Sequence, residues 1–135
     1  MRRKAFLFTL GFALLLFAIP VVAHHSFMVE YDLTKPVTLQ GVVTKLVYEN
    51  LHITFFVDVR DASGQTKNWG FEAASPTALR GRGWLKDTVK AGDKVTVEGV
   101  RARKGELFGA ASVVTMADGR RFVAGSDGVV SPANR

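Results

Sequence analysis

The sequence predicts a mainly β protein: a small five-stranded OB-fold-like Greek-key barrel with one short helix between strands 3 and 4. Three observations carry this. From Val37 onward apolar residues recur in short runs of period two, punctuated by Gly, Asp and Asn. One stretch, from Ser75-Pro76 to Gly83, has the start and stop chemistry of a helix. Three strand patterns precede that helix and two follow it, which is the OB order. Another small β-barrel or a sandwich with one helix satisfies the same pattern.

Each element follows from its residues. The stretch from His24 to Pro36 is irregular and reads as an extended segment docked by Phe27 and Tyr31. The first strand spans about Val37 to Tyr48. Val37 and Leu39 share one face, and after Gly41 the apolar positions move to Val42, Leu46 and Tyr48. A change of phase at a glycine predicts a bulge or bend. Glu49-Asn50-Leu51 is a turn. In the second strand, His52 to Arg60, Ile53, Phe55, Val57 and Val59 form the inner face, and His52 lies on the other. Asp61-Ala62-Ser63-Gly64 is a hairpin turn. The third strand, about Thr66 to Ala73, carries Trp69 and Phe71 on one face. Ser75 is the helix N-cap and Pro76 its first residue; Trp84 and Leu85 after it are expected to cap one end of the barrel.

Ala91-Gly92-Asp93 turns the chain into the fourth strand, Lys94 to about Arg101, with Val95 and Val97 inward. Arg103 to Glu106 is a polar turn before a fifth strand from about Leu107 to Met116. Asp118-Gly119 is a hairpin signal, and residues 121–124 form a short extra strand. The barrel domain is therefore 37–124, with a flexible tail over 125–135.

The first residues set the cellular context. The chain has 135 residues, with 18 Lys and Arg against 12 Asp and Glu. Arg2, Arg3 and Lys4 precede an uncharged apolar run from Ala5 to Ala23, which ends in small residues. This is the pattern of a secretory signal peptide over residues 1–23, with cleavage after Ala23 and a periplasmic or secreted destination. The apolar run is also about long enough to stay as an uncleaved anchor. Cleavage leaves 15 basic residues against 12 acidic ones, too small an excess to argue for nucleic acid. The mature part contains no apolar run long enough to span a membrane. With no cysteine, disulfides, thiolate metal sites and Cys nucleophiles are excluded.

The candidate chemistry lies in three histidines, His24, His25 and His52. Cleavage after Ala23 makes His24 the N-terminal residue. It then offers two nitrogens, its α-amine and its imidazole, and His52 supplies a third. Such a set is a copper histidine brace, because nitrogen ligands suit copper. Two arrangements compete with it. In one, the amine, the second amide and the His25 imidazole wrap a cation locally. In the other, histidine side chains join a carboxylate such as Glu30, Asp32 or Glu49, a set that also suits zinc. A second constellation, Trp69, Phe71 and Trp84 with Arg80, Arg82 and Arg101, reads as core aromatics beside a solvated basic face, or as a stacking surface for an envelope glycan or protein. No nucleophile–base spacing and no phosphate-binding glycine loop is present, so the sequence points away from an enzyme.

The motifs His24-His25-Ser26-Phe27, Tyr31-Asp32, Pro36-Val37-Thr38-Leu39-x-Gly41, Asn50-x-His52, Trp69-x-x-Glu72, Ser75-Pro76, Gly83-Trp84 and Gly92-Asp93 together resemble one family. It is an uncharacterised family of short exported bacterial proteins, classed as a domain of unknown function. The resemblance spans His24 to about Ala124 and implies export and a compact β domain. It implies no activity. The family pattern at the third histidine is Asn-Pro-His, whereas this chain has Asn50-Leu51-His52, which removes the fixed φ of proline from the turn.

Overall fold

A computed structural model of the chain describes residues 27–49 and 51–126. The expected signal peptide, His24, His25 and the end of the tail lie outside these residues. The chain divides into two units at the Glu30–Tyr31 junction. In the first, residues 27–30 are helical. The second contains the sheet.

The strands are β1 (Tyr31–Tyr48), β2 (Ile53–Arg60), β3 (Thr66–Ala73), β4 (Lys94–Ala102), β5 (Phe108–Met116) and β6 (Arg121–Val123); a helix, α1 (Pro76–Gly81), separates β3 from β4. They form one sheet in the order β3-β2-β1-β4-β5-β6. Neighbours in this order are antiparallel. A parallel pairing of Gly70, Phe71 and Glu72 with Phe108, Gly109 and Ala110 joins β3 to β5. The pairings β1–β2–β3–β5–β4–β1 therefore close on themselves, and β6 extends β5 as a short extra strand.

β2 follows the predicted alternation: Ile53, Phe55, Val57 and Val59 are buried, and the residues between them are not. Opposite them, Trp69, Phe71 and Ala73 fill the same interior from β3. Asp61 closes the hairpin between the two strands, its carboxylate accepting from Ser63 and from the Gln65 N–H. Gly64 takes the positive φ of 84° that the turn requires. The helix is capped as its sequence indicates, with Ser75 Oγ accepting from the Ala78 N–H at 3.3 Å. Trp84 is buried in the core, whereas Leu85, expected to share its capping role, is 55% exposed.

β1 departs from expectation in two places. It begins at Tyr31, six residues before the predicted start. Asp32 pairs with Arg101 and Pro36 with Val100, so Leu33, Thr34 and Lys35 bulge out of the ladder. Asp32 stabilises the bulge by accepting from the Thr34 N–H and hydroxyl at 3.0 and 2.7 Å. This insertion breaks the two-residue period, which is why the segment reads as irregular. The second departure concerns the change of phase. Val43, and not Val42, is the buried residue, because the register with β2 shifts between Val43 and Lys45. Val37, Leu39 and Val43 share the inner face before this bulge, and Leu46 regains it afterwards. Gly41 has a different role: it pairs with Val59 on one side and Val95 on the other. A Cβ there would collide with the Asp58 carbonyl.

The core is an aromatic stack inside a valine-rich wall. Phe55 and Phe71 stack at 5.7 Å between centroids, and Trp69 stacks on Phe71 at 6.0 Å. Trp84 meets Phe55 and Phe122 at 6.2 and 6.1 Å. Burial of these rings is the main driving force available to a domain without disulfides.

Candidate functional site

His52 sits immediately before β2, where the turn from β1 ends. The Glu49 N–H donates to the His52 carbonyl at 3.1 Å, which fixes its backbone. The side chain is directed away from the core and is 44% exposed. Beside it stands Glu72. The hairpin register pairs Thr54 with Glu72, so Glu72 projects from the outer face diagonally across from His52. The two side chains approach to 3.5 Å between His52 Nδ1 and Glu72 Oε1. Tyr31 completes the group: its hydroxyl donates to Glu72 Oε2 at 3.0 Å. Tyr31 is only 2% exposed, so a buried phenol anchors one oxygen of the carboxylate and the other faces the imidazole.

Of the three predicted ligands, the described residues include His52 alone. The carboxylates considered beside it are placed otherwise. Asp32 is buried and engaged by Thr34, with Arg103 and Lys35 at 3.7 Å. The Thr34 hydroxyl and N–H, helped by the two cations, hold its carboxyl below the ordinary 3.8 against the opposing effect of burial. Glu30 and Glu49 are exposed. Glu72 was legible only as part of a motif. The signal that singles it out is the Asp61–Gly64 hairpin, whose register sets Glu72 and His52 on one face. Among the described residues no three His, Asp or Glu side chains converge as a complete metal site. The predicted set draws two of its members from outside those residues.

The aromatic constellation resolves as core. Trp69, Phe71 and Trp84 are buried, and Arg101 lies over the Trp69 ring at 5.2 Å while donating to the Glu106 carbonyl at 2.6 Å. Arg82 donates to the Gly125 carbonyl at 2.5 Å. Surface grooves of about 420 and 590 Å³ run beside Lys94 and Met116; neither is lined by Tyr31, His52 or Glu72. No described helix is long and apolar enough to cross a membrane.

A small, mainly β protein in which a buried phenol is linked through a carboxylate to a half-exposed imidazole is thus defined. The chain belongs to the family of unknown function DUF6152, whose model matches residues 13–111. That span includes Tyr31, His52 and Glu72. No curated protein and no solved structure matches the chain.

Proposed function

We propose that this is an exported small β-barrel protein of the OB type that binds copper through His24, His25 and His52. In this reading the α-amine and imidazole of His24 act with the imidazole of His52, and His25 is the alternate ligand. Zinc is the second choice of metal. The protein would hold or deliver the ion outside the cytoplasm. The observation that carries the reading is the placement of His52: half-exposed, fixed by its backbone, and flanked by a carboxylate tied to Tyr31. Metal-binding imidazoles are commonly supported by such carboxylates. The closed run of pairings, with a helix between β3 and β4, supports the OB assignment.

The test is native mass spectrometry of the protein exported from cells. The expected species begins at His24 and carries one copper, which is lost in His52→Ala. Retention of copper by His52→Ala would transfer the site to the local His25 mode. A chain that begins at His24 and takes up no Cu(II) would sink the metal reading, and retention of residues 1–23 would remove the free amine.

A second reading, an OB module for an envelope protein or glycan, is favoured by one observation. Phe56 and Phe108 are half-buried on the outer face and flank Gly70, where a Cβ would lie 2.6 Å from the Phe108 ring. This is the face that OB-folds use for ligands. In that case Phe56→Ala and Phe108→Ala, but not His52→Ala, would abolish capture of the partner.

A further inference from the structure

One of the two ring nitrogens of His52 lies beside a carboxylate. Nδ1 lies 3.5 Å from Glu72 Oε1, and Oε2 of the same carboxylate accepts the Tyr31 hydroxyl at 3.0 Å. An ionised carboxylate only accepts hydrogen bonds. A neutral imidazole carries its proton on one nitrogen and a lone pair on the other, and the partner of one nitrogen selects the state of both. A proton on Nδ1 faces the negative charge of Glu72. A lone pair on Nδ1 would face that same charge and be repelled. The exposures differ in the matching sense: the His52 side chain is 44% accessible and Glu72 25%, so solvent and solutes reach the ring more readily than the carboxylate.

We propose that Glu72 is a positioning residue that holds neutral His52 as the Nδ1–H tautomer, so that Nε2 is the nitrogen offered to a ligand. Tyr31 keeps Glu72 in the required orientation by engaging its far oxygen. The identification of that ligand as copper rests on the function proposed above; the state of the imidazole does not. The carboxylate also makes the imidazole a stronger donor at Nε2, since it stabilises the positive charge that accumulates on the ring when Nε2 donates its lone pair.

The tautomer is read directly from long-range ¹⁵N–¹H correlation spectra of the metal-free protein at about pH 8.5, well above the ordinary histidine range. The expected wild-type spectrum has His52 protonated at Nδ1 and bare at Nε2. Glu72→Ala is expected to move His52 toward the Nε2–H form that free histidine prefers, and Tyr31→Phe to move it part of the way. A wild-type His52 protonated at Nε2, or an unchanged tautomer in Glu72→Ala, would overturn the proposal. Titration with Cu(II) alone supplies the second readout. Where His52→Ala loses the copper, Glu72→Ala should weaken binding by about 10–100-fold, and equal affinity in Glu72→Ala and wild type would then overturn the positioning role. If wild type takes up no Cu(II), the copper reading fails while the tautomer measurement still decides what Glu72 does.

Discussion

The Tyr31 hydroxyl donates to Glu72 across 41 residues of sequence, at 3.0 Å, and it does so from a side chain almost wholly buried. The bond ties the first residue of β1 to the outer face of β3. Tyr31→Phe keeps the ring and removes only the hydroxyl. Its expected cost is about 1 kcal/mol, the usual net worth of one hydrogen bond with a partly accessible partner. Urea unfolding of the two proteins measures it; no change in midpoint would mean that water replaces the phenol without loss.

Gly99 and Gly70 are both crowded, but by different neighbours. A Cβ on Gly99 would collide with the Ala110 carbonyl, and backbone there is held by the β4–β5 ladder. A Cβ on Gly70 would meet the Phe108 ring at 2.6 Å and the Phe56 ring at 3.1 Å, half-buried side chains and not backbone. Gly99→Ala is therefore expected to cost about 2–3 kcal/mol and Gly70→Ala less than about 1.5 kcal/mol. Thermal unfolding of the pair gives the order; equal losses would refute the distinction between backbone and side-chain crowding.

Phe71 is fully buried and stacks with both Phe55 and Trp69. Truncation to alanine leaves a cavity between them, at an expected cost of about 3–5 kcal/mol. That is a large part of the stability of a domain this size. Far-UV circular dichroism against temperature should show a lower midpoint or an unfolded chain, and wild-type stability would contradict the packing described.

Acid should weaken the fold partly through Asp32. Hydrogen bonds from Thr34, together with Arg103 and Lys35, lower its carboxyl below 3.8 in the folded state. A lowered carboxyl contributes stability that is complete above the unfolded value near 3.8. That contribution is lost as pH falls through the folded value. Asp61 is lowered chiefly by Ser63 and Asp118 by Arg120, so they act in the same sense. Asp32→Asn is expected to flatten the fall in urea midpoint between about pH 5 and 2; identical slopes in variant and wild type would remove Asp32 from the acid response.

Local chemistry decided much of this protein before any tertiary contact formed. Ile53, Phe55, Val57 and Val59 alternate without interruption, so β2 and its inner face were legible, as were the Asp61–Gly64 hairpin and the Ser75-Pro76 start of α1. A strand period or a cap depends on residues a few positions apart. The first strand was harder to read. Its two bulges, around Leu33–Lys35 and at Thr44, insert residues that have no opposite residue in the ladder. Each insertion alters the phase of the pattern, and nothing in the strand alone marks where. Val42 and Val43 are interchangeable by composition, and only the register with β2 makes Val43 the core residue. The site follows the same rule. His52 stood out by residue type, but its partners did not, because Glu72 reaches it through the β2–β3 register and Tyr31 reaches Glu72 from the start of β1. Sequence settled which residues prefer strand, turn or interior; closure of the sheet decided which of them meet, because contact across tens of residues is set by pairing register and not by local preference.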